Sequence, residues 1–235
     1  MSLIALTASP DLIDQVHDRL LAAIVDGTLA PGARVTQESV AARLGVSRQP
    51  VSHALQLLKR RGLLIEHGKR GLVVPPLDAQ RVRDLYQVRE SLEALAAELA
   101  ARRAAAGSLT SAERRAAQRA LIKGTNLGAD ATIVDLVESD VAFHSALHVM
   151  SGNTAISETI ADQWPHFMRS MGSVLTEPSI RKRVWSEHAH VLAAVLDGNA
   201  DKAATLMRHH VAGAGEDTAR RLERLRAAEH TQQSP

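Results

Sequence analysis

Ser47-Arg48-Gln49-Pro50-Val51-Ser52-His53-Ala54-Leu55-Gln56-Leu57-Leu58-Lys59-Arg60-Arg61-Gly62 is the stretch whose reading decides the fold of this 235-residue chain. It has the pattern of a helix with an open beginning. Ser47 suits the N-cap, where its hydroxyl can accept from the free N–H groups of the first turn. Pro50 falls inside that turn, where a missing N–H costs little. Val46 and Val51 flank the cap and can pack against each other as a staple. Val51, Ala54, Leu55 and Leu58 share one face at helical spacing, which leaves Arg48, Gln49, Ser52 and His53 pointing away from it. Ser47 and these four polar residues are candidates to read base edges in a major groove. The plainer alternative is a surface helix with basic residues.

Working outward, Val16, Leu20, Leu21 and Ile24 form an apolar stripe over Leu12–Val25, after a loose arm at residues 1–9. Gly27 ends that helix, and Ala30-Pro31-Gly32 is a turn. Thr36 can cap a short helix to Leu44, with Val40, Ala41 and Leu44 facing inward. The Gly45-Val46 corner then leads into the opening helix, so the pair reads as a helix-turn-helix. Leu63-Leu64-Ile65 and Leu72-Val73-Val74 are β-prone runs around the turn His67-Gly68-Lys69-Arg70-Gly71, which predicts a β-hairpin with a basic tip. Lys69, Arg70 and Gly71 are candidate contacts to phosphates or a minor groove. Pro75-Pro76 is a stiff linker. It places a winged helix-turn-helix, DNA-binding domain at 1–76 and a second domain at 77–235.

Beyond the linker no strand signal occurs. Helices are expected at 78–105, 110–123, 130–150, 153–173, 178–197 and 200–227, as an all-α antiparallel bundle with a frayed polar tail from Ala227. The protein is therefore mainly α.

Charge is distributed unevenly. Residues 43–70 hold seven Lys/Arg against the single acid Glu66, whereas 77–235 hold 19 Lys/Arg and 20 Asp/Glu. A concentrated basic block is the footprint expected for double-stranded DNA. No apolar run is long enough to span a bilayer. The first residues lack the pattern of a secretory signal, and there is no cysteine. Disulfides and thiolate metal sites are thus excluded, and a cytoplasmic location without a membrane partner is expected.

Eleven histidines invite a search for imidazole ligands. Asp140 and His144 lie one turn apart on a face shared with Val137, Val141 and Leu147. His188 shares the inward side of its helix with Trp185, Val191, Leu192 and Val195, whereas Glu187 and His190 fall on the side read as outward. His210 groups with Ala203, Leu206 and Met207, and His209 turns toward solvent. Asp140, His144, His188 and His210 are candidate ligands of a divalent ion, with Zn, Ni, Mn and Fe all compatible. His148 is the best substitute. Any one of these histidines taken alone is more often an ordinary hydrogen-bonded core residue.

The succession of helix, Leu29-Ala30-Pro31-Gly32-Ala33-Arg34-Val35, helix, Gly45-Val46-Ser47-Arg48-Gln49-Pro50-Val51 and hairpin resembles the GntR family of bacterial transcription regulators. The helical part, with its acid and histidine spacing, looks like the FadR-type branch and its FCD ligand-binding domain. The resemblance implies operator contacts at Arg34, Arg48, Gln49, Arg70 and Gly71, and a metal held by the Asp140/His144/His188/His210 pattern. It also implies a small carboxylate effector near the metal, with Arg89 as its effector-binding partner. The other reading of Arg89 is a helix-surface salt bridge with Glu93 at i+4. Ser52-His53 departs from the Arg-Glu that commonly follows Pro-Val in the family, so an altered half-site is expected.

The expected function is a ligand-responsive repressor that binds a near-palindromic operator as a homodimer. It is not expected to be an enzyme. The competing readings are a metal-dependent enzyme built on the Asp/His cluster, and a constitutive DNA binder whose helical half only dimerises.

Overall fold

The computed structural model describes residues 10–68 and 71–233. The predicted arm at 1–9 and the tip residues Lys69 and Arg70 lie outside the described residues. The chain divides into two compact units, Met1–Pro76 and Leu77–Pro235.

The first unit is built on three helices: α1 (Pro10–Val25), α2 (Gln37–Leu44) and α3 (Arg48–Arg60). Their apolar stripes meet in one core formed by Val16, Leu20 and Ile24, by Val40 and Ala41, and by Val51, Ala54, Leu55 and Leu58. Complete burial of side chains such as Val51 and Leu58 contributes about 1.5–3 kcal/mol each. Thr36 caps α2 by accepting from Ser39 N–H at 3.2 Å. Gly45 closes α2 in the left-handed conformation, φ 65°, and so turns the chain into α3.

Four expectations need correction here. Ser47 occupies the N-cap position of α3, but its side chain makes no cap hydrogen bond. Leu44 is 39% exposed rather than inward, because α2 ends there and its last turn no longer faces the core. Leu63 and Leu64 are core plugs ahead of the strand, which is β2 (Ile65–Glu66). The hairpin is also not alone. β1 (Arg34–Val35) pairs antiparallel with β3 (Leu72–Val73), which in turn pairs with β2, in the order β1-β3-β2. Gly32 N–H to Val74 O at 2.8 Å extends the first pairing, so the outer edge of β3 is satisfied by the segment before α2.

The second unit is helical throughout: α4 (Ala79–Ala105), α5 (Ser111–Thr125), α6 (Ile133–Ser151), α7 (Thr154–Ala161), α8 (Trp164–Met171), α9 (Pro178–Leu196) and α10 (Ala200–Gln233). Asp78 caps α4, and Thr110 and Thr132 form full capping boxes at α5 and α6. The helix expected over 153–173 is two helices. Pro165 sits at the start of α8, where it lacks the N–H an unbroken helix would need. The polar end of α10 continues as helix to Gln233 instead of fraying at Ala227, in keeping with its Arg, Glu, Leu and Ala content.

Gly124 lies inside α5 rather than in a break. A Cβ there would fall 1.9 Å from the Trp185 ring, so glycine is what lets α9 approach α5. Among the described residues, no helix is long and apolar enough to cross a membrane.

Candidate metal centre and nucleic-acid interface

On the first unit, Arg48, Gln49 and His53 are exposed on the leading turns of α3, as the periodicity predicts. Ser52 is half-buried and accepts from Gln37 Nε2 at 3.2 Å. Arg48 Nη2 lies 2.9 Å from Glu38 Oε1, with the two side chains 68% and 71% exposed. A pair this exposed contributes at most about 1 kcal/mol, so it exchanges readily for another anion.

Arg34 and Gly71 come together across the sheet. Gly71 has φ 149°, and a Cβ there would lie 3.0 Å from Arg34 Nε. Gln37 and Glu38 were missed by sequence reasoning. Their only signal was position in the first turn after Thr36, and their contacts to α3 arise from the angle between two helices.

In the second unit, Asp140 and His144 of α6, His188 of α9 and His210 of α10 converge. All four are buried, and one ligand atom from each lies within 4.8 Å of the others. His188 Nε2 is 3.1 Å from His210 Nε2 and 3.6 Å from Asp140 Oδ1, and His144 Nε2 is 3.7 Å from Asp140 Oδ2. The His188 ring is held by stacking on Phe143 at 4.1 Å and by the Trp185 edge at 4.8 Å. His148 is buried but directs Nε2 to Glu93 Oε2 at 3.0 Å, so it stands outside the group.

Arg89 is not on a helix surface. Arg89 and Glu93 are both buried, with Nε 3.4 Å from Oε1. The guanidinium carbon lies 4.9 Å from the Trp164 ring centre and 5.0 Å from that of Phe167. Nη2 is 3.6 Å from Asp140 Oδ2 and makes no hydrogen bond. The Glu93 pairing read for Arg89 is present but buried, and Glu187 and Trp164, which complete this network, were missed. Glu187 was read as outward, yet its Oε2 meets His210 Nδ1 at 2.8 Å. Only the approach of α10 to α9 gives it that partner.

The residues fit a divalent ion. Burial depresses the pKa of His188 well below the ordinary imidazole value, and the neighbouring His210 and His144 add to the effect, so the ring is neutral and ready to donate a lone pair. Burial alone would raise Glu93, but His144 and His148 outweigh it and hold Glu93 well below the usual carboxylate range. Asp140 Oδ2, both ring nitrogens of His144 and Nδ1 of His188 are buried without hydrogen-bond partners. Two imidazole nitrogens bound to one tetrahedral ion at about 2.0–2.1 Å stand roughly 3.3 Å apart. The separation seen between His188 and His210 is 3.1 Å. Glu93 and Asp140 are buried beside Arg89, and Glu187 is paired with Arg183 at the edge of the cluster.

Tyr86, Arg89, Asp140, Arg183, His210 and Thr218 help line a small cavity of about 20 Å3 beside the cluster. That volume holds about one water molecule.

Residues 12–74 match the bacterial regulatory proteins of the gntR family, and residues 84–213 match the FCD domain. An uncharacterized HTH-type transcriptional regulator in an unstable DNA locus of Streptomyces ambofaciens is 32% identical over 204 residues, covering 85% of this chain and 80% of that protein. The chain belongs to the gntR family of bacterial regulatory proteins. This GntR protein is also 27% identical, over 183 residues, to the Nta operon transcriptional regulator of Aminobacter aminovorans, which covers 77% of this chain and 82% of that one.

Its fold matches that of Escherichia coli McbR/YncC at a TM-score of 0.74 and 22% identity, over 92% of this chain and 98% of that one. A GntR transcriptional regulator of Rhodococcus sp. RHA1 matches at a TM-score of 0.72 and 23% identity, over 88% and 96% of the two chains. The protein is a DNA-binding GntR transcription regulator with an FCD domain, and the families and relatives it matches are regulators, not enzymes.

Proposed function

We propose that this regulator is a metal-dependent sensor of a small carboxylate, and that it acts as a repressor. Residues 1–76 form its DNA-binding domain and 77–235 its effector-binding and dimerisation domain. The observation that carries the proposal is Arg89 Nη2, buried beside the Asp140/His144/His188/His210 cluster, 3.6 Å from Asp140 Oδ2 and without a hydrogen bond. A buried guanidinium with a donor not hydrogen-bonded suits a carboxylate.

Asp140, His144, His188 and His210 would hold the ion, which is one of Zn, Ni, Mn and Fe. When bound, it supplies a Lewis-acidic centre for a ligand oxygen. Arg89 orients the carboxylate, and Trp164 and Phe167 exclude water from it. The cavity is too small for a metabolite, so entry has to part the segments that line it, from α8 through α9 to α10. That displacement is the differential interaction a switch requires.

On the DNA side, Arg34, Ser47, Arg48, Gln49, Ser52, His53, Lys69, Arg70 and Gly71 make the operator contacts. Gln37 restrains Ser52, and Glu38 restrains Arg48, in the free protein. The protein works as a homodimer in the cytoplasm on a near-palindrome. Support for the dimer comes from an apolar row on α4 at alternating three- and four-residue spacing. It consists of Leu85, Val88, Leu92, Leu95 and Leu99, with Val88 57% exposed and the rest at least part-exposed.

The test begins with selection of bound duplexes from a random pool. Small carboxylic acids are then titrated into a shift assay on the selected site, using the metal-loaded protein. The expected result is weakened DNA binding by at least one acid, lost in Arg89→Ala. If every acid that binds the helical domain leaves DNA affinity unchanged, the sensing reading fails.

A further inference from the structure

Two of the three clustered imidazoles have a carboxylate at the ring edge opposite the cluster. His210 presents Nε2 to His188 at 3.1 Å, and its Nδ1 meets Glu187 Oε2 at 2.8 Å. His144 presents Nε2 to Asp140 at 3.7 Å, and its Nδ1 lies 3.0 Å from Glu93 Oε2 without hydrogen-bond geometry. His188 has no carboxylate of this kind. Its ring is set by Phe143 and Trp185 instead, and its Nδ1 has no hydrogen-bond partner.

We propose that Glu187 and Glu93 are positioning residues of the metal centre. Glu187 accepts from His210 Nδ1, keeps the proton there and thereby directs the Nε2 lone pair at the ion, whereas Glu93, 3.0 Å from His144 Nδ1 without hydrogen-bond geometry, acts on that ring through its charge. The inference rests on the metal reading given above and goes beyond its four ligands. A neutral imidazole carries one proton shared between two tautomers. A carboxylate at Nδ1 selects the tautomer with Nε2 bare, fixes the ring's rotation and increases its basicity.

The two residues differ in reach. Glu93 is fully buried and also accepts from His148 and faces Arg89, so it joins the metal ligands to the proposed effector arginine. Glu187 is half-buried at the outer edge, where Arg183 Nε lies 3.4 Å from its Oε1. Arg183 is itself ion-paired with Asp217 on α10, so Glu187 connects the centre to the rim of the cavity.

The experiment uses the full-length protein, stripped with a chelator and reloaded with Zn2+ or Co2+. Affinity is measured by competition with a chromophoric chelator, and thermal stability is measured with and without metal. Glu187→Gln keeps the side chain's size and removes the charge. It is expected to weaken binding of either ion about 10–100-fold. It should also alter the visible spectrum of the Co2+ form and leave the midpoint of the stripped protein close to wild type. Glu93→Gln is expected to weaken binding similarly, and because Glu93 is buried, Glu187→Gln decides if that variant fails to fold.

Wild-type affinity and spectrum in Glu187→Gln would overturn the inference while leaving the metal reading intact. A drop in midpoint of equal size with and without metal, at unchanged affinity, would assign Glu187 a purely structural role and overturn it as well. If the wild-type protein bound none of Zn2+, Co2+, Ni2+, Mn2+ and Fe2+, both the metal reading and this inference would be overturned.

Discussion

The molecule contains two arginine–glutamate pairs whose contrast separates its two halves. Arg48–Glu38 joins α3 to α2 at 2.9 Å in nearly full exposure. Arg89–Glu93 lies within α4 at 3.4 Å, with the side chains 2% and 0% exposed. The better distance belongs to the weaker interaction. Water and salt screen the exposed pair to about 0–1 kcal/mol. In the buried pair, removing one partner strands a charge in a medium that cannot solvate it. The exposed face of α3 therefore carries a cation that is free to change partners. The centre of the helical unit carries a cation that stays fixed until another anion replaces what surrounds it.

Several substitutions can break or sharpen this contrast. The largest effect is expected from Glu93→Ala, which leaves the buried Arg89 with Asp140 as its remaining carboxylate, 3.6 Å away and not hydrogen-bonded, and takes the partner from His148. Denaturant unfolding should show a loss of about 3–5 kcal/mol. A loss below 1 kcal/mol would mean that the guanidinium is solvated after all.

Next comes Arg48→Ala. Its cost should appear on DNA, at about 1–3 kcal/mol for a selected duplex measured by titration, with folding stability unchanged. Equal binding by the variant would remove Arg48 from the reading face.

Glu113 is an intermediate case. Arg103 Nη1 at 2.8 Å and the Thr110 N–H at 2.7 Å hold its carboxyl down at about 2. A carboxylate depressed in the folded state stabilises above its unfolded value, near 4.5 here, and that contribution is lost as pH falls through about 2. Glu113→Gln should thus cost about 1 kcal/mol at neutral pH, as for a lost cap. The gap to wild type should close in an acid titration of unfolding, and a gap independent of pH would refute the ionic contribution.

Smallest of all, Glu38→Gln should change folding stability by less than about 1 kcal/mol, and any change should vanish in high salt.

The helix-turn-helix was legible because its determinants are local: a cap at Thr36, a left-handed glycine at Gly45, and an apolar face at Val51, Ala54, Leu55 and Leu58. The same periodicity picked out Asp140, His144, His188 and His210 as inward residues on three helices, although it cannot place those helices against one another. Pro165 was a break that sequence reasoning passed over. The period continued on both sides of it, and only the missing N–H marked the division.

By itself, the sequence determined where most of the helices run and, apart from residues such as Leu44 and Glu187, which side of each is apolar, since spacing along one element is enough for that. Tertiary structure alone decided that Arg34–Val35 adds a strand to the wing, that Gly124 seats Trp185, and that Glu187 turns to His210. Each of these depends on a partner distant in the chain. The free energy of such contacts comes from packing and charge across elements, and no spacing within a single element encodes it.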